Sequence, residues 1–183
     1  MKNLRWLAAT FVLFLVTLVL SGWSDFRDLG HVREWKAVPV DAADGELDGI
    51  RVGVREVKAA VVDTTPDRAL LFVRVALQGP QDSIDRWVDC RVSVQTPDGS
   101  MWLPVYGPAV RGVIQTLASD RKDNGNCLAA NISEDGPISF DQLYRLPRSA
   151  LDNLSLHVSG YGTRPSALSF PLRPEVQEFR TAQ

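Results

Sequence analysis

The sequence predicts an all-β protein, an antiparallel β-sandwich preceded by one N-terminal transmembrane helix. Two observations predict this class: a charge-free apolar run near the N-terminus, and short apolar–polar alternations separated by turn residues after residue 48. No long helical period occurs outside the first run. A β-barrel-like closure of the strands is the alternative. The 183 residues suffice for one ordinary domain plus a targeting or membrane segment.

The N-terminal run spans residues 6–24 and carries no charge. As an α-helix it is about 28 Å long, close to the roughly 30 Å of hydrocarbon in a bilayer. Lys2 and Arg5 precede it, so the N-terminus is expected in the cytoplasm and the chain after Asp25 outside it. A cleaved signal peptide is the alternative, but an A-x-A site is missing and the run exceeds the usual core of about 7–15 residues.

Composition and pattern divide the chain into four parts. The segment 25–48 is polar, with Pro39 and several Asp, and is predicted to be a juxtamembrane linker. It contributes a short edge strand or, alternatively, begins with a short helix. The predicted parts are a cytoplasmic start and transmembrane anchor over 1–24, the linker over 25–48, a β-sandwich domain over 49–173 and a polar C-terminal tail over 174–183.

Seven to nine short strands are predicted after the linker. Apolar residues alternate with polar ones, and turn residues such as Pro97-Asp98-Gly99 separate the runs. This cadence is typical of an immunoglobulin-like sandwich. The alternating apolar residues include Ile50, Val52 and Val54; Leu71, Val73, Val75 and Leu77; Val88, Cys90, Val92 and Val94; Met101, Leu103 and Val105; Leu154, Leu156 and Val158; and Leu168, Phe170 and Leu172.

The order of these runs resembles exported immunoglobulin-like domains of bacterial membrane-anchored envelope proteins. An apolar strand precedes a D-G hairpin and an aromatic residue, and a later Leu-Pro-x-x-Ala-Leu segment introduces the penultimate strand. The runs are GIRVGVREV, ALLFVRVALQG, CRVSVQTPDGSMWLPV, YRLPRSALDNLSLHV and ALSFPL. The resemblance covers about residues 49–173 and implies architecture and an extracytoplasmic location. It brings no catalytic motif and no activity.

Cys90 and Cys127 are the two cysteines of the chain. Outside the cytoplasm a disulfide between them is the natural interpretation, and it would fasten a long polar loop to a core strand. A redox-active pair is disfavoured because the C-x-x-C spacing is missing. Free thiols are the remaining alternative.

The charge and motif content argue against several function classes. The net charge of −2 and the isoelectric point of about 5.7 argue against a nucleic-acid partner. Nucleophilic catalysis needs a base beside a nucleophile, and G-x-S-x-G, S-x-x-K and H-E-x-x-H do not occur. His157 has Ser155 and Ser159 on the same strand face, which we interpret as a solvent-facing polar stripe. We therefore expect no enzyme activity, no catalytic residue and no cofactor.

A metal site is not expected either. The two histidines, His31 and His157, have no His or Cys close to them in sequence. The loop SDRKDNGN alternates oxygen-bearing side chains around a glycine, as calcium loops do, but its order departs from D-x-[DN]-x-[DN]-G. A solvated loop is the favoured interpretation of Asp120, Asp123, Asn124 and Asn126, and a calcium loop is the alternative.

Aromatic residues supply the remaining indication of function. Trp87 is expected in the core, whereas Trp102, Tyr106 and Arg111 are predicted as an interaction surface. Tyr106 and Arg111 belong to the irregular segment 104–127, and irregular segments on a rigid scaffold often carry recognition. We expect a non-enzymatic, single-pass interaction module or accessory subunit of a cell-envelope complex, with a membrane or envelope protein as partner. The alternative is a ligand-binding module for cell-wall glycan or lipid.

Overall fold

The computed structural model describes residues 2–32, 34, 36–127 and 135–180. The chain divides into two compact units, Met1–Arg33 and Glu34–Gln183. The first contains one helix, α1 (Lys2–Val32), in which the described side chains between Trp6 and Trp23 are exposed. Within the described part of the chain, no helix combines the length and the hydropathy that a membrane crossing requires.

The second unit, called the sheet domain below, is mostly β. The described residues of this unit form the strands β1 (Lys36–Pro39), β2 (Asp44–Leu47), β3 (Ile50–Val62), β4 (Arg68–Gln78), β5 (Arg91–Gln95), β6 (Met101–Trp102), β7 (Ile138–Pro147), β8 (Leu154–Ser159), β9 (Ser166–Leu172) and β10 (Glu175–Phe179). They also form the short helices α2 (Gln81–Ile84) and α3 (Pro108–Leu117), with 3-10 turns at Asp85–Trp87, Arg148–Asn153 and Tyr161–Thr163.

The strands form two sheets. The first has the order β1-β9-β8-β5-β6, and the second has the order β10-β3-β4-β7, with β2 also paired to β3. The expectation of a purely antiparallel arrangement is corrected at two places, because β1 runs parallel to β9 and β10 runs parallel to β3. In both pairs the linking chain is long, so it can return the strand in the same direction.

Apolar side chains of both sheets meet in one core. The alternating residues of β3, β4, β5, β8 and β9 supply it, as the period-2 pattern predicts. The predicted run Met101, Leu103 and Val105 is an exception, because these side chains are exposed and Trp102 between them packs against the core. Trp87 lies in this core with no exposed surface, which confirms the expectation for that residue. Among the residues that the structure describes, its indole nitrogen has no hydrogen-bond partner. Tyr144, also fully buried, donates a hydrogen bond from its hydroxyl to the carbonyl of Val92 over 3.3 Å.

A second, smaller core lies on the outer face of β4. Helix α3 covers this face, and Phe72 packs there with Ile114 and Leu117. The helix arises in the segment that the sequence indicates to be irregular. Its apolar residues recur at helical spacing from Val110 to Leu117, and Pro108 at its first turn suits helix initiation. This cover explains why β4 is buried on both faces.

Two further segments differ from the sequence pattern. The run predicted from Val88 becomes strand β5 only at Arg91, and Val88 is 55% exposed, because a 3-10 turn redirects the chain just before it. The segment assigned to the C-terminal tail contains β10, which pairs with β3. The predicted linker, from which a short edge strand is expected, contains β1 at the edge of the first sheet and also β2.

Candidate functional site

The disulfide between Cys90 and Cys127 is present, with 6.0 Å between the two Cα atoms, and confirms the predicted pairing. Cys90 stands immediately before β5, whereas Cys127 ends the described part of the loop that follows α3. The bond therefore holds this loop against the edge of the first sheet, where β5 and the short β6 lie.

Residues 101–106, called the apolar segment below, connect the two sheets. The segment begins in β6 at the edge of the first sheet, and the amide of Val105 donates a 2.7 Å hydrogen bond to the carbonyl of Leu143 in β7, the edge strand of the second. Four of its six side chains are apolar or aromatic and exposed. They are Met101 (46%), Leu103 (51%), Val105 (39%) and Tyr106 (64%). The segment carries no charge.

Tyr106 stands between two depressions in the surface. The first, called the disulfide pocket below, has a volume of about 290 Å³ and is walled by the Cys90–Cys127 bond. The second has a volume of about 390 Å³ and is lined by Arg111 and the first turn of α3. Partial burial raises the pKa of the Tyr106 hydroxyl above its ordinary value. The phenol therefore stays neutral at physiological pH and can donate a hydrogen bond.

The three residues predicted as an interaction surface are only partly brought together. Tyr106 and Arg111 line the same depression, and the Arg111 guanidinium approaches the Asp123 carboxylate at 3.4 Å. Trp102 lines neither depression; it pairs with Val94 in β6, and its half-exposed ring packs against the main core. Whether these residues contact a partner stays a prediction.

The loop considered for calcium uses its carboxylates within the chain. The Asp120 carboxylate accepts from the Lys122 amide at 3.0 Å and pairs with the Arg74 guanidinium at 3.0 Å. The Asp123 carboxylate accepts from the Gly125 amide at 2.9 Å. Within the described residues no group of three or more histidine, cysteine or carboxylate side chains converges as metal ligands would. The side chain of His31 lies outside the described part.

The stripe around His157 is buried, which corrects the expectation that it faces solvent. The His157 ring is 7% exposed, and its Nε2 lies 3.2 Å from the hydroxyls of Ser155 and Ser169. Glu34, which precedes β1, covers part of this face and accepts hydrogen bonds from Ser93 and Ser159. The stripe is shielded from water because β8 is a central strand between β9 and β5 and the Glu34 side chain lies against the serines of this face.

This cluster does not form a catalytic triad. In a triad the acid accepts a hydrogen bond from the second ring nitrogen of the histidine and so orients it. Here Nδ1 of His157 is buried without a hydrogen-bond partner, and the Glu34 carboxylate bonds to serines instead. Desolvation by burial lowers the pKa of His157, and the nearby Glu34 carboxylate opposes that effect. The ring is therefore held neutral, as a structural group would be.

Sequence reasoning missed two residues of the disulfide pocket, Gln142 and Arg164. Both are buried, and both line its wall. A signal for Gln142 exists in the sequence, because it occupies an inward position of β7 between Phe140 and Tyr144, where an apolar residue is expected. No comparable signal marks Arg164, which lies in an irregular turn.

Comparison with known proteins gives little similarity. No family model matches the chain, and no curated protein does. Among solved structures, "a putative lipoprotein" from Staphylococcus aureus subsp. aureus NCTC 8325 is 10% identical, with a TM-score of 0.46 over 76% of this chain and 96% of that one. "A putative lipoprotein" from Bacillus subtilis subsp. subtilis str. 168 is 13% identical, with a TM-score of 0.44 over 73% of this chain and 39% of that one. Similarity at this level carries no argument about function.

Proposed function

We propose that the chain is a non-enzymatic, membrane-anchored binding module whose immunoglobulin-like sheet domain lies outside the cytoplasm and docks a protein of the cell envelope. The anchor rests on the charge-free sequence of residues 6–24 and on the positive charges that precede it. The Cys90–Cys127 bond supports the location, since disulfides persist in oxidising compartments.

One observation carries the docking function: the exposed, uncharged surface of the apolar segment. Soluble proteins rarely expose contiguous apolar side chains unless these side chains bind something. Burying such a surface against a partner stabilises the complex by about 25 cal/mol for each Å² removed from water. The segment is held on a rigid support, since both of its ends join sheet edges. Preorganised segments lose little conformational entropy on binding. A partner protein with an apolar contact surface fits these properties.

Affinity purification of the full chain from native membranes in mild detergent tests the proposal. We expect a stoichiometric membrane or envelope protein to co-purify with the wild type, and Val105→Asp to reduce its yield at least tenfold. Val176→Asp is the matched control, because Val176 is a similarly exposed valine (44%) on β10. A partner yield that is equal in both variants would exclude the apolar segment as the docking surface.

Membrane topology is tested separately. Protease treatment of spheroplasts should digest the sheet domain while leaving a cytoplasmic marker intact. Mass measurement of the mature chain distinguishes a retained anchor from a cleaved signal peptide. A sheet domain that resists protease until the membrane is opened would contradict the extracytoplasmic location.

A further inference from the structure

A groove opens on the outer face of the second sheet, beside α3. It is called the α3 groove below and has a volume of about 350 Å³, which is at the lower end of ligand sites. Strands β3, β4 and β7 supply its floor, and the first turns of α3 supply one wall. Most of its lining is aliphatic, including Ala60, Val62, Leu70, Val110, Val113 and Leu143.

The position of α3 on the sheet explains why this surface is left open. Phe72 lies beneath the helix and is fully buried. Leu70 lies two residues earlier on the same face of β4, and it is only half-buried. Val110 and Val113, on the helix wall of the groove, are half-buried too. The helix therefore covers one row of the outer face and leaves the next, apolar row partly uncovered.

Two arginines supply the charge of the groove. Arg145 on β7 lies directly opposite Leu70 in the strand pairing, and Arg68 lies two residues before Leu70 on β4. The three residues therefore share the outer face, and both arginines are exposed. In the part of the chain that the structure describes, neither guanidinium has a hydrogen bond or an ion pair, and no lining residue is acidic. Planar guanidinium groups of this kind suit a carboxylate.

The lining limits the ligand to one chemical class. A sugar ring finds no aromatic face, because none of the described residues that line the groove is aromatic. A simple inorganic anion would leave the apolar floor unused, and a neutral alkyl chain would leave both arginines unused. An anion with an alkyl chain uses both.

The volume limits the length of that chain. The groove holds roughly ten methylene groups if each occupies about as much space as a water molecule. One short alkyl chain therefore fits, whereas the two long chains of a membrane phospholipid do not.

We propose that the α3 groove binds a single-chain carboxylic acid of about ten carbons. The alkyl chain lies against Leu70 and Val113, and the carboxylate contacts Arg68 and Arg145. This site is additional to the docking function and does not rest on it. The two surfaces share Val105, which lines the groove and belongs to the apolar segment.

Photolabelling of the full chain tests the proposal. The chain is placed in nanodiscs of phosphatidylcholine, because the alkyl chains of a detergent would compete for the groove. The probe is decanoic acid with a diazirine near its methyl end, and the corresponding decanol is the uncharged control. Mass spectrometry locates the label, and the label recovered in phospholipid corrects for partition into the bilayer.

We expect the acid to label peptides of α3 and β4 at least about tenfold more than the alcohol does, the ratio that one charge-assisted hydrogen bond supplies. Excess unlabelled decanoate should remove this label. Equal labelling by acid and alcohol would overturn the proposal irrespective of how any variant folds. Replacing part of the phosphatidylcholine with phosphatidylglycerol should leave the labelling unchanged. Displacement by that lipid would assign the groove to an anionic phospholipid and overturn the proposal.

The double variant Arg68→Gln, Arg145→Gln removes both cations at exposed strand positions, where a change of fold is not expected. Its labelling by the acid should fall at least about tenfold, to the level of the alcohol. Arg51→Gln is the matched control, because Arg51 is an exposed arginine on β3 that does not line the groove. Ala109→Trp fills the groove from an exposed position of α3, so it should abolish labelling by both probes. Undiminished labelling of the double arginine variant would overturn the proposal.

Co-purification separates this site from the docking function. The double arginine variant should retain the wild-type yield of the partner protein while it loses the label. A lower partner yield with undiminished labelling would place an acidic side chain of the partner, and not a small acid, at these arginines. Failure of any partner to co-purify with the wild type would contradict the docking function alone.

Discussion

Arg74 and Asp141 lie directly opposite each other on β4 and β7 and share two hydrogen bonds, from Nε to Oδ1 over 2.7 Å and from Nη2 to Oδ2 over 3.0 Å. Both residues are buried, and the hydrogen bond to Asp141 is the main cause that raises the pKa of Arg74 above its ordinary value. The same carboxylate accepts from the Asn124 amide at 2.8 Å, so the pair also fastens the loop after α3 to the sheet.

Replacing Asp141 should destabilise the sheet domain. Asp141→Ala removes the main acceptor of the buried Arg74 guanidinium, which keeps the Asp120 carboxylate at 3.0 Å and the Glu56 carboxylate at 3.6 Å, so we expect a loss of about 1–3 kcal/mol in the free energy of unfolding. Glu178→Ala is the control, since its pair with Arg148 is exposed and should be worth about 0–1 kcal/mol. Urea unfolding of the full chain in mild detergent measures both. Equal losses would show that burial of the Arg74 pair has no energetic role.

The disulfide should contribute measurably to stability. Closing a loop of 37 residues restricts the unfolded chain, for which the loop-entropy relation gives about 3–4 kcal/mol. The double variant Cys90→Ser, Cys127→Ser should therefore unfold at lower urea concentration. The oxidised and reduced wild type provide an independent comparison. A difference below about 1 kcal/mol in both comparisons would contradict the loop argument.

The stability of the sheet domain should fall on mild acidification. Burial lowers the pKa of His157 below its ordinary value of 6.5, so the unfolded chain binds a proton more readily than the folded chain. Above pH 6.5 the ring is neutral in both the folded and the unfolded chain, and the free energy of unfolding is highest. As the pH falls from 6.5 toward the lower pKa of His157 in the folded chain, protonation of the unfolded chain decreases this free energy. Of the charged groups, the Glu34 carboxylate faces the ring and reduces the effect.

Urea unfolding between about pH 5 and pH 8 measures this dependence. His157→Gln carries no titrating ring, so its free energy of unfolding should change less across this range than that of the wild type. Parallel pH profiles in the two proteins would assign the pH dependence to other groups.

Two glycine substitutions should have opposite effects. A Cβ at Gly160 would lie 2.5 Å from the Trp87 Cα and 2.7 Å from the Arg86 carbonyl oxygen, and backbone atoms cannot yield easily. Gly160→Ala should therefore destabilise by about 1–3 kcal/mol. A Cβ at Gly112, in α3, meets nothing within 4 Å, so Gly112→Ala should stabilise by about 0.5–1 kcal/mol. Thermal unfolding measures both effects. If the Gly160→Ala variant unfolds at the wild-type temperature, the backbone around Gly160 can move away from Arg86 and Trp87 without loss of stability.

The sequence was sufficient to predict the strands whose apolar residues alternate, because period-2 burial depends on local geometry alone. It was also sufficient for the disulfide and for the burial of Trp87. It did not predict the parallel pairing of β1 and β10, because both strands are short and polar and are specified by their partners across the sheet. Helix α3 was missed because a ten-residue amphipathic segment beside Gly and Pro resembles a loop.

The candidate site was less predictable. Tyr106 and Arg111 were chosen as residues of one irregular segment, and the fold brings them to a common depression. Trp102 is predicted as a surface aromatic residue of a strand, but β6 directs its ring toward the core. Arg164 reaches the disulfide pocket from a turn distant in sequence, and such convergence follows from tertiary packing that no local pattern encodes.

The position of β9 has a consequence for biogenesis. It fills the place between β1 and β8, so the first sheet stays split until residues 166–172 have been synthesised, after all the other strands of that sheet. Strand β10, which is made later still, then covers the free edge of β3. A nascent polypeptide that ends before β9 therefore cannot complete its first sheet, however many of the earlier strands have already emerged.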